Sequence, residues 1–380
     1  MFQKHRLAIT IITVIGLLLL LRPDGIVVPV EKLEIIAGIG QDMIRNDYGE
    51  LIYQISISRY IFGQGGNREA AQTQSVEKVS VGDTLPITRE KGQLNSDKKF
   101  ISALEKIVLF GEQAATAGIG PSINLFKVNP LGNDYAWVVV CKGQAADMLK
   151  LQIPGFTTSA DYLAGLIENL KEYNFFAPDY TIMNMYVRVG AEGRSLVLPY
   201  LEIVDGKPQV TGMSLFKQDK MVRKIDMNEV KIMNMLRENN VRGIVEIDKN
   251  AFQYTSGYAK STRKVSCQKK GDKYRFNIDV DCAVEILSNL MFKGMEEEHG
   301  EIKDFEQAIQ EKYEILCREF IRKMQIEYKV DCLELGRVAA AKYGRGKVKD
   351  WDEVVSNSDI EVNIKVKVER FGRWYKLKEE

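Results

Sequence analysis

The chain has 380 residues, 45% of them hydrophobic and 28% charged, with 53 Lys and Arg against 52 Asp and Glu. That balance is globular and excludes a disordered chain, while a net charge of +1 provides no field for steering nucleic acid or generally acidic substrates. The length suits two or three domains of ordinary size.

Leu7 to Leu21 form an uninterrupted apolar run, preceded by Lys4, His5 and Arg6 and followed by Arg22-Pro23. At 1.5 Å per residue the run covers about 22 Å of a hydrocarbon core roughly 30 Å thick, the length of a signal-peptide core. Leu19 to Asp24 offer no small-residue cleavage site. The run is therefore expected to stay in the protein as a membrane anchor carried by Leu7, Ile11, Ile15, Leu18 and Leu21. Lys4 and Arg6 favour a cytoplasmic amino terminus, which leaves the bulk of the chain outside the cytoplasm.

Beyond the anchor, Leu33 to Gly40 reads as a buried strand and Glu50 to Ser58 as its hairpin partner across Asn46-Asp47-Tyr48-Gly49. Residues 63 to 99, rich in Gly, Gln, Ser, Thr and Lys, read as a loop or weak extended segment. Phe100, Leu104, Ile107, Val108 and Phe110 recur at helical spacing, with Asn95, Ser96 or Asp97 as N-cap. Asp134 to Cys141 is a continuous apolar strand, and Ala145 to Leu151 begins a short helix that Pro154 closes. Asp161 to Tyr173 is a further helix, followed by extended segments at Thr181 to Val189 and Leu196 to Val204. Asp205-Gly206-Lys207-Pro208 is a turn.

Val210 to Phe216 and Met221 to Ile225 form a hairpin around Gln218-Asp219-Lys220, before an amphipathic helix from Asn228 to Arg237 and a strand from Arg242 to Ile247. Ala251 to Cys282 reads as three extended stretches. Ile302, Phe305, Ile309, Leu316, Phe320 and Met324 share one face of a long helix. Ile360, Val362, Ile364, Val366 and Val368 alternate with polar residues in a half-buried terminal strand. The expected architecture is α+β and multidomain, with mostly antiparallel or mixed sheets flanked by helices behind the anchor. The expected divisions are 1–24 (anchor), 25–204, 205–250 (a small middle domain) and 251–380, where the long helix lies on an antiparallel sheet.

Cys141, Cys267, Cys282, Cys317 and Cys332 are too widely spaced for a C-x-x-C metal or redox motif. A turn centred on Gly271-Asp272 sets Cys267 opposite Phe276 instead of Cys282, so the thiols are expected to be free and mostly buried. Catalytic patterns fail one by one. His5 flanks the anchor, and His299 stands alone in EEEHGE as a solvated helix start. The two AGIG stretches, Ala37 to Gly40 and Ala117 to Gly120, lack the third glycine of a dinucleotide fingerprint and read as backbone turns. Gly344-Arg345-Gly346-Lys347 has Ala341 and Val348 where a phosphate loop needs Gly and Ser or Thr. Ser214 lacks the glycine of a nucleophile elbow, Phe216 standing in its place. Phe175-Phe176 and Trp374-Tyr375 are core or rim aromatics. No catalytic, cofactor-binding or metal-binding residue is expected.

Taken in order, LEIIAGIGQD, SALEKIVLFGEQAATAGIGPSINLF, YAWVVVCKGQAADMLKLQ, VTGMSLFKQDKMVRKID and KVKDWDEVVSNSDIEVNIKVKVERFGR resemble the Ger(x)C family, the C subunits of nutrient germinant receptors in spore-forming bacteria. The most specific parts are the GIG-x-D strand end, the G-x-x-x-F-K-x-D-K hairpin and the W-D-E…V-x-V-x-V ending. The resemblance implies a non-enzymatic, three-domain subunit on the outer face of the inner spore membrane. Its partners would be integral-membrane A-type and B-type receptor subunits, with nutrient met only indirectly. Family members are normally lipoproteins, but Asp24 occupies the position of the lipobox cysteine and Pro23 that of the preceding glycine, so no lipidation is expected. An alternative is an extracytoplasmic, membrane-anchored ligand-binding protein with its pocket near Pro199 to Pro208. A cell-wall enzyme is the weakest reading.

Overall fold

The computed structural model describes residues 32–61, 74–101, 103–129, 132–271, 273–292, 294–295, 299–371 and 375–376. The anchor residues Leu7, Ile11, Ile15, Leu18 and Leu21, together with Asp24, lie outside these residues. Among the described residues no helix is long and apolar enough to cross a membrane.

The first sheet begins with β1 (Leu33–Arg45) and β2 (Leu51–Ile61), the expected hairpin. Its turn holds because Asn46 Oδ1 accepts from Tyr48 N at 3.0 Å and Glu50 N at 2.9 Å, while Gly49 takes φ 81°. The segment expected to be a loop contains β3 (Gln74–Gly82) and α1 (Leu85–Leu94), the latter capped by Thr84 and opened by a proline. After the short β4 (Lys99–Ile101) comes β5 (Ile107–Gly111), where the spacing had predicted a helix. The physical reason is burial on both sides. Ile107 and Leu109 enter one core and Val108 and Phe110 the other, so a central strand mimics helical spacing by being apolar throughout.

Next come α2 (Glu112–Ala117), α3 (Gly120–Val128), β6 (Trp137–Cys141), α4 (Ala145–Lys150) and α5 (Ser159–Asn169), the last with a capping box between Thr158 and Asp161. The segment expected to be extended at Thr181 to Val189 is instead a helix, α6 (Ile182–Gly190). Thr181 caps it, and its buried Ile182, Met185 and Arg188 fall three apart. β7 (Val197–Val204), β8 (Lys207–Lys217) and β9 (Lys220–Asp226) complete a nine-stranded mixed sheet of order β3-β2-β1-β5-β6-β7-β8-β9, with β4 on β1. The Asp205-Gly206 turn has both φ angles positive, 50° and 74°, as a two-residue hairpin loop demands.

From β9 the chain passes through α7 (Met227–Arg237) into β10 (Val241–Asn250), the first strand of a second sheet. The segment 205–250 thus sends its hairpin to one sheet and its last strand to the other. The three stretches expected between Ala251 and Cys282 are two long strands, β11 (Gln253–Lys270) and β12 (Lys273–Asn289), paired so that Cys267 faces Phe276 as the turn required. The long helix α8 (His299–Lys323) runs into a π-turn, Met324–Tyr328, and is followed by α9 (Leu335–Tyr343) and α10 (Trp351–Ser356). β13 (Asp359–Phe371) then pairs parallel to β12, with β14 (Tyr375–Lys376) at the edge.

Buried Ile302, Phe305, Ile309 and Phe320 of α8 pack with Val362, Ile364, Val366 and Val368 of β13 in one core, each such side chain contributing roughly 1.5–3 kcal/mol. The same core continues without a break to Ala37, Leu109 and Val139 of the first sheet. Phe175 and Phe176 are fully buried in it, and all five cysteines are free and buried. The protein is α+β, with two mixed sheets joined through one apolar interior.

Candidate functional site

The three motifs that are most specific in the sequence turn out to be joints. In the GIG-x-D strand end, an added Cβ at Gly38 would stand 2.7 Å from Ala160 Cβ, and one at Gly40 would stand 3.0 Å from Ala145 Cβ. Glycine therefore lets α4 and α5 approach β1 closely, and this AGIG is strand interior, not the expected turn. Asp42, 2% exposed, accepts from Ala145 N at 2.7 Å and Ala146 N at 3.0 Å and so anchors the start of α4. Burial raises its pKa despite those two bonds.

The hairpin motif docks on the second AGIG. Asp219 Oδ2 accepts from Gly120 N at 2.9 Å, and its carbonyl accepts from Ile119 N at 2.9 Å. Gly118 takes φ 124°, and a Cβ on Gly120 would reach 2.6 Å from Asp219 Oδ2. In the next motif, Lys217 pairs with Asp350 at 2.9 Å, and the Trp351 indole donates to Glu192 Oε1 at 2.9 Å. The W-D-E segment is thus pinned to both the β8–β9 hairpin and the loop after α6.

Between the sheets lies a charged hub. Arg237, at the end of α7 and with a side chain 1% exposed, meets Glu238 at 2.8 Å and Glu334 at 2.9 Å. It also donates to the carbonyls of Cys332 at 2.6 Å and Ser195 at 2.9 Å. Burial opposes its charge, but Glu334 and Glu238 outweigh that and raise its pKa. Arg188 of α6 joins through Asp179 at 2.6 Å and Glu238 at 3.5 Å. Arg263 of β11 donates to the carbonyls of Leu236 and Leu333, and burial, together with Arg237 nearby, lowers its pKa to about 10.

Asp331 completes the joint. Its carboxylate accepts from Leu335 N at 3.0 Å and Gly336 N at 2.7 Å, and its own N–H donates to Asp352 Oδ1 at 2.8 Å. Complete burial pushes its pKa up to about 7 against the pull of those amides. Nothing here is arranged as a nucleophile with a base. Ser214 Oγ is buried and donates to the Leu198 carbonyl at 3.0 Å, and among the described residues no group of His, Cys, Asp and Glu is placed to hold a metal.

A second feature lies at the far edge of the first sheet. β1, β2 and β3 are registered so that Gln41, Ile55 and Ser80 form one row and Ile39, Ile57 and Lys78 the next. With α1 and α3 above them, these rows enclose a cavity of about 190 Å³. Pro199 to Pro208, the expected place for a pocket, is instead the β7–β8 hairpin. A cleft of about 400 Å³ between α7 and α8 is larger, and two of its lysines are engaged, Lys323 by Glu229 at 2.8 Å and Lys312 by Asp248 at 3.0 Å.

Two mixed sheets joined by a buried polar hub define an α+β protein. Two family models divide the chain between them: "Spore germination protein N-terminal domain" over residues 27–203 and "Spore germination B3/ GerAC like, C-terminal" over residues 211–372. The chain belongs to the Ger(x)C family. It is 20% identical to YfkR of Bacillus subtilis (strain 168) over 361 residues, covering 87% of this chain and 88% of that one. It is 22% identical to Spore germination protein A3 of the same organism over 66% of each chain. The solved structure titled "Crystal Structure of the GerBC protein" matches with a TM-score of 0.57 at 17% identity, covering 87% of this chain and 97% of that one, a likeness of fold. The family gives the chain a role in spore germination.

Proposed function

We propose that the protein is a non-enzymatic C subunit of a nutrient germinant receptor, acting through protein–protein contacts with integral-membrane A-type and B-type subunits. The observation that carries this reading is the succession of the two family domains over residues 27–203 and 211–372, in a chain whose most specific motifs serve as joints within the fold. A subunit that relays by contact needs a body that moves as one. The continuous core and the Arg237 hub support such a body.

In this reading Leu7 to Leu21 hold the chain at the inner spore membrane, with the bulk of it extracytoplasmic and Asp24 taking the place of the lipidated cysteine. Spores lacking the protein are expected to lose germination with at least one nutrient. Normal germination with every nutrient tested, in a strain without a compensating paralogue, overturns the proposal.

A further inference from the structure

The cavity beside β1 combines three properties that do not otherwise meet among the described residues. Its apolar lining, Ile39, Ile55, Ile57, Phe100 and Phe126, is only half-buried although it faces a concavity roofed by α1 and α3. Gln41, 3% exposed, lines the same space. Its Oε1 accepts from the Ser122 hydroxyl, but its Nε2 has no hydrogen-bond partner, and a buried donor left so is destabilising until an acceptor meets it.

The third property is the charge of the wall. Glu34 is the one carboxylate among the described residues of the lining, against Lys78, Arg89 and Lys98. Glu34 is already engaged, by Arg59 at 2.7 Å, Ser96 at 2.9 Å and Lys78 at 3.8 Å. The Arg89 guanidinium lies 5.9 Å from the centre of the Phe100 ring, at the seam between apolar and charged lining. A guest therefore meets an excess of cations, with no carboxylate among the described lining residues left over for an ammonium group, and the Gln41 amide N–H just behind the wall is without an acceptor.

Size narrows the guest further. A cavity of about 150 Å³ accommodates benzene, so 190 Å³ suits a molecule of about eight non-hydrogen atoms. We propose that this cavity is a binding site for a small apolar monocarboxylate, its charge met by Lys78, Arg89 and Lys98, its oxygen accepting from Gln41 Nε2 once the amide turns toward it, and its hydrocarbon body lying on Ile39, Ile55 and Ile57. A free amino acid of the same skeleton is disfavoured because its ammonium would have to enter without a counter-charge. The site does not depend on the receptor reading, since it rests on the cavity alone.

The test uses the full chain in lipid nanodiscs and titration calorimetry with 4-methylpentanoate, with 4-methylpentanamide and leucine as its uncharged and zwitterionic counterparts. Saturable one-to-one binding of the carboxylate is expected, at least about tenfold tighter than either counterpart. Gln41→Leu should weaken it about tenfold, and Ile55→Trp, which fills the space, should abolish it. Both variants are checked by circular dichroism and thermal unfolding, so that a folding defect is separated from a lost site. Absence of saturable binding by the unaltered chain, equal binding of the amide, or unchanged affinity in both folded variants overturns the proposal. None of these results bears on whether spores lacking the chain germinate.

Discussion

The Arg237 hub and the Gln41 cavity both take polar groups out of water, and they treat them in opposite ways. At the hub the Arg237 guanidinium meets two carboxylates and two carbonyls. At the cavity an amide is left with one end unpaired beside open volume and half-buried isoleucines. The first arrangement specifies one relative position of the two sheets, because any displacement would strand charges in a low dielectric. The second tolerates a cost that a guest could relieve. Holding is thus assigned to the joint between the sheets and receiving to the β1–β3 side of the first sheet.

The comparison breaks most sharply at the hub. Arg237→Met leaves Glu238 and Glu334 buried without their principal counter-charge, and urea unfolding should show a loss of about 3–5 kcal/mol. A loss below about 1 kcal/mol would mean that the hub does not hold the sheets together.

The next effect is a dependence on pH at the same joint. The pKa of Asp331 is raised from 3.8 to about 7, so the folded state binds more protons than the unfolded state between those values. Its contribution to stability is present at low pH and is lost as pH rises through about 7. Stability measured from pH 4 to 7 should therefore fall less steeply in Asp331→Asn than in the unaltered protein, the difference reaching at most about 4 kcal/mol across the window. Parallel profiles would show that this carboxyl does not titrate there.

The smallest effect is expected at the cavity. Gln41→Leu removes an amide that is half unpaired, at the cost of the Ser122 hydroxyl's acceptor, so its unfolding free energy should stay within about 1 kcal/mol of the original. A large loss would place Gln41 among the structural joints and erase the contrast.

Much of the fold was legible because local signals agreed with one another. Asn46 to Gly49, Asp205-Gly206 and Gln218-Asp219 combine turn chemistry with flanking apolar alternation, and each is a hairpin in the structure. The alternation from Ile360 to Val368 likewise became β13. Misreadings occurred where one pattern fits two periods. Ile107 to Phe110 satisfies helical spacing only because a central strand is apolar on both faces. Thr181 to Val189 reads as extended, whereas the cap at Thr181 and the three-residue recurrence of Ile182, Met185 and Arg188 were the signals that mattered. The hub was not legible at all, since Arg237 and Glu334 are distant in sequence and each alone looks like a solvated charge. The cavity escaped for the same reason: Gln41, Ile55 and Ser80 meet only through the register of three strands, and Ser122 reaches them from the helix packed above.

The parallel pairing of β13 with β12 also sets an order on how the molecule is made. Between Asn289 and Asp359 the chain must lay down α8, its π-turn, α9 and α10 before the strand that α8 covers can arrive. Until then β12 presents an open edge, and the apolar face of α8 lacks Val362, Ile364, Val366 and Val368 beneath it. Closure of so long a loop is slow compared with the neighbouring β11–β12 hairpin. The second sheet therefore reaches its finished form only when residues 359–371 have been synthesised, and during that interval the nascent chain carries an unpaired edge that chaperones or early docking partners would have to shield.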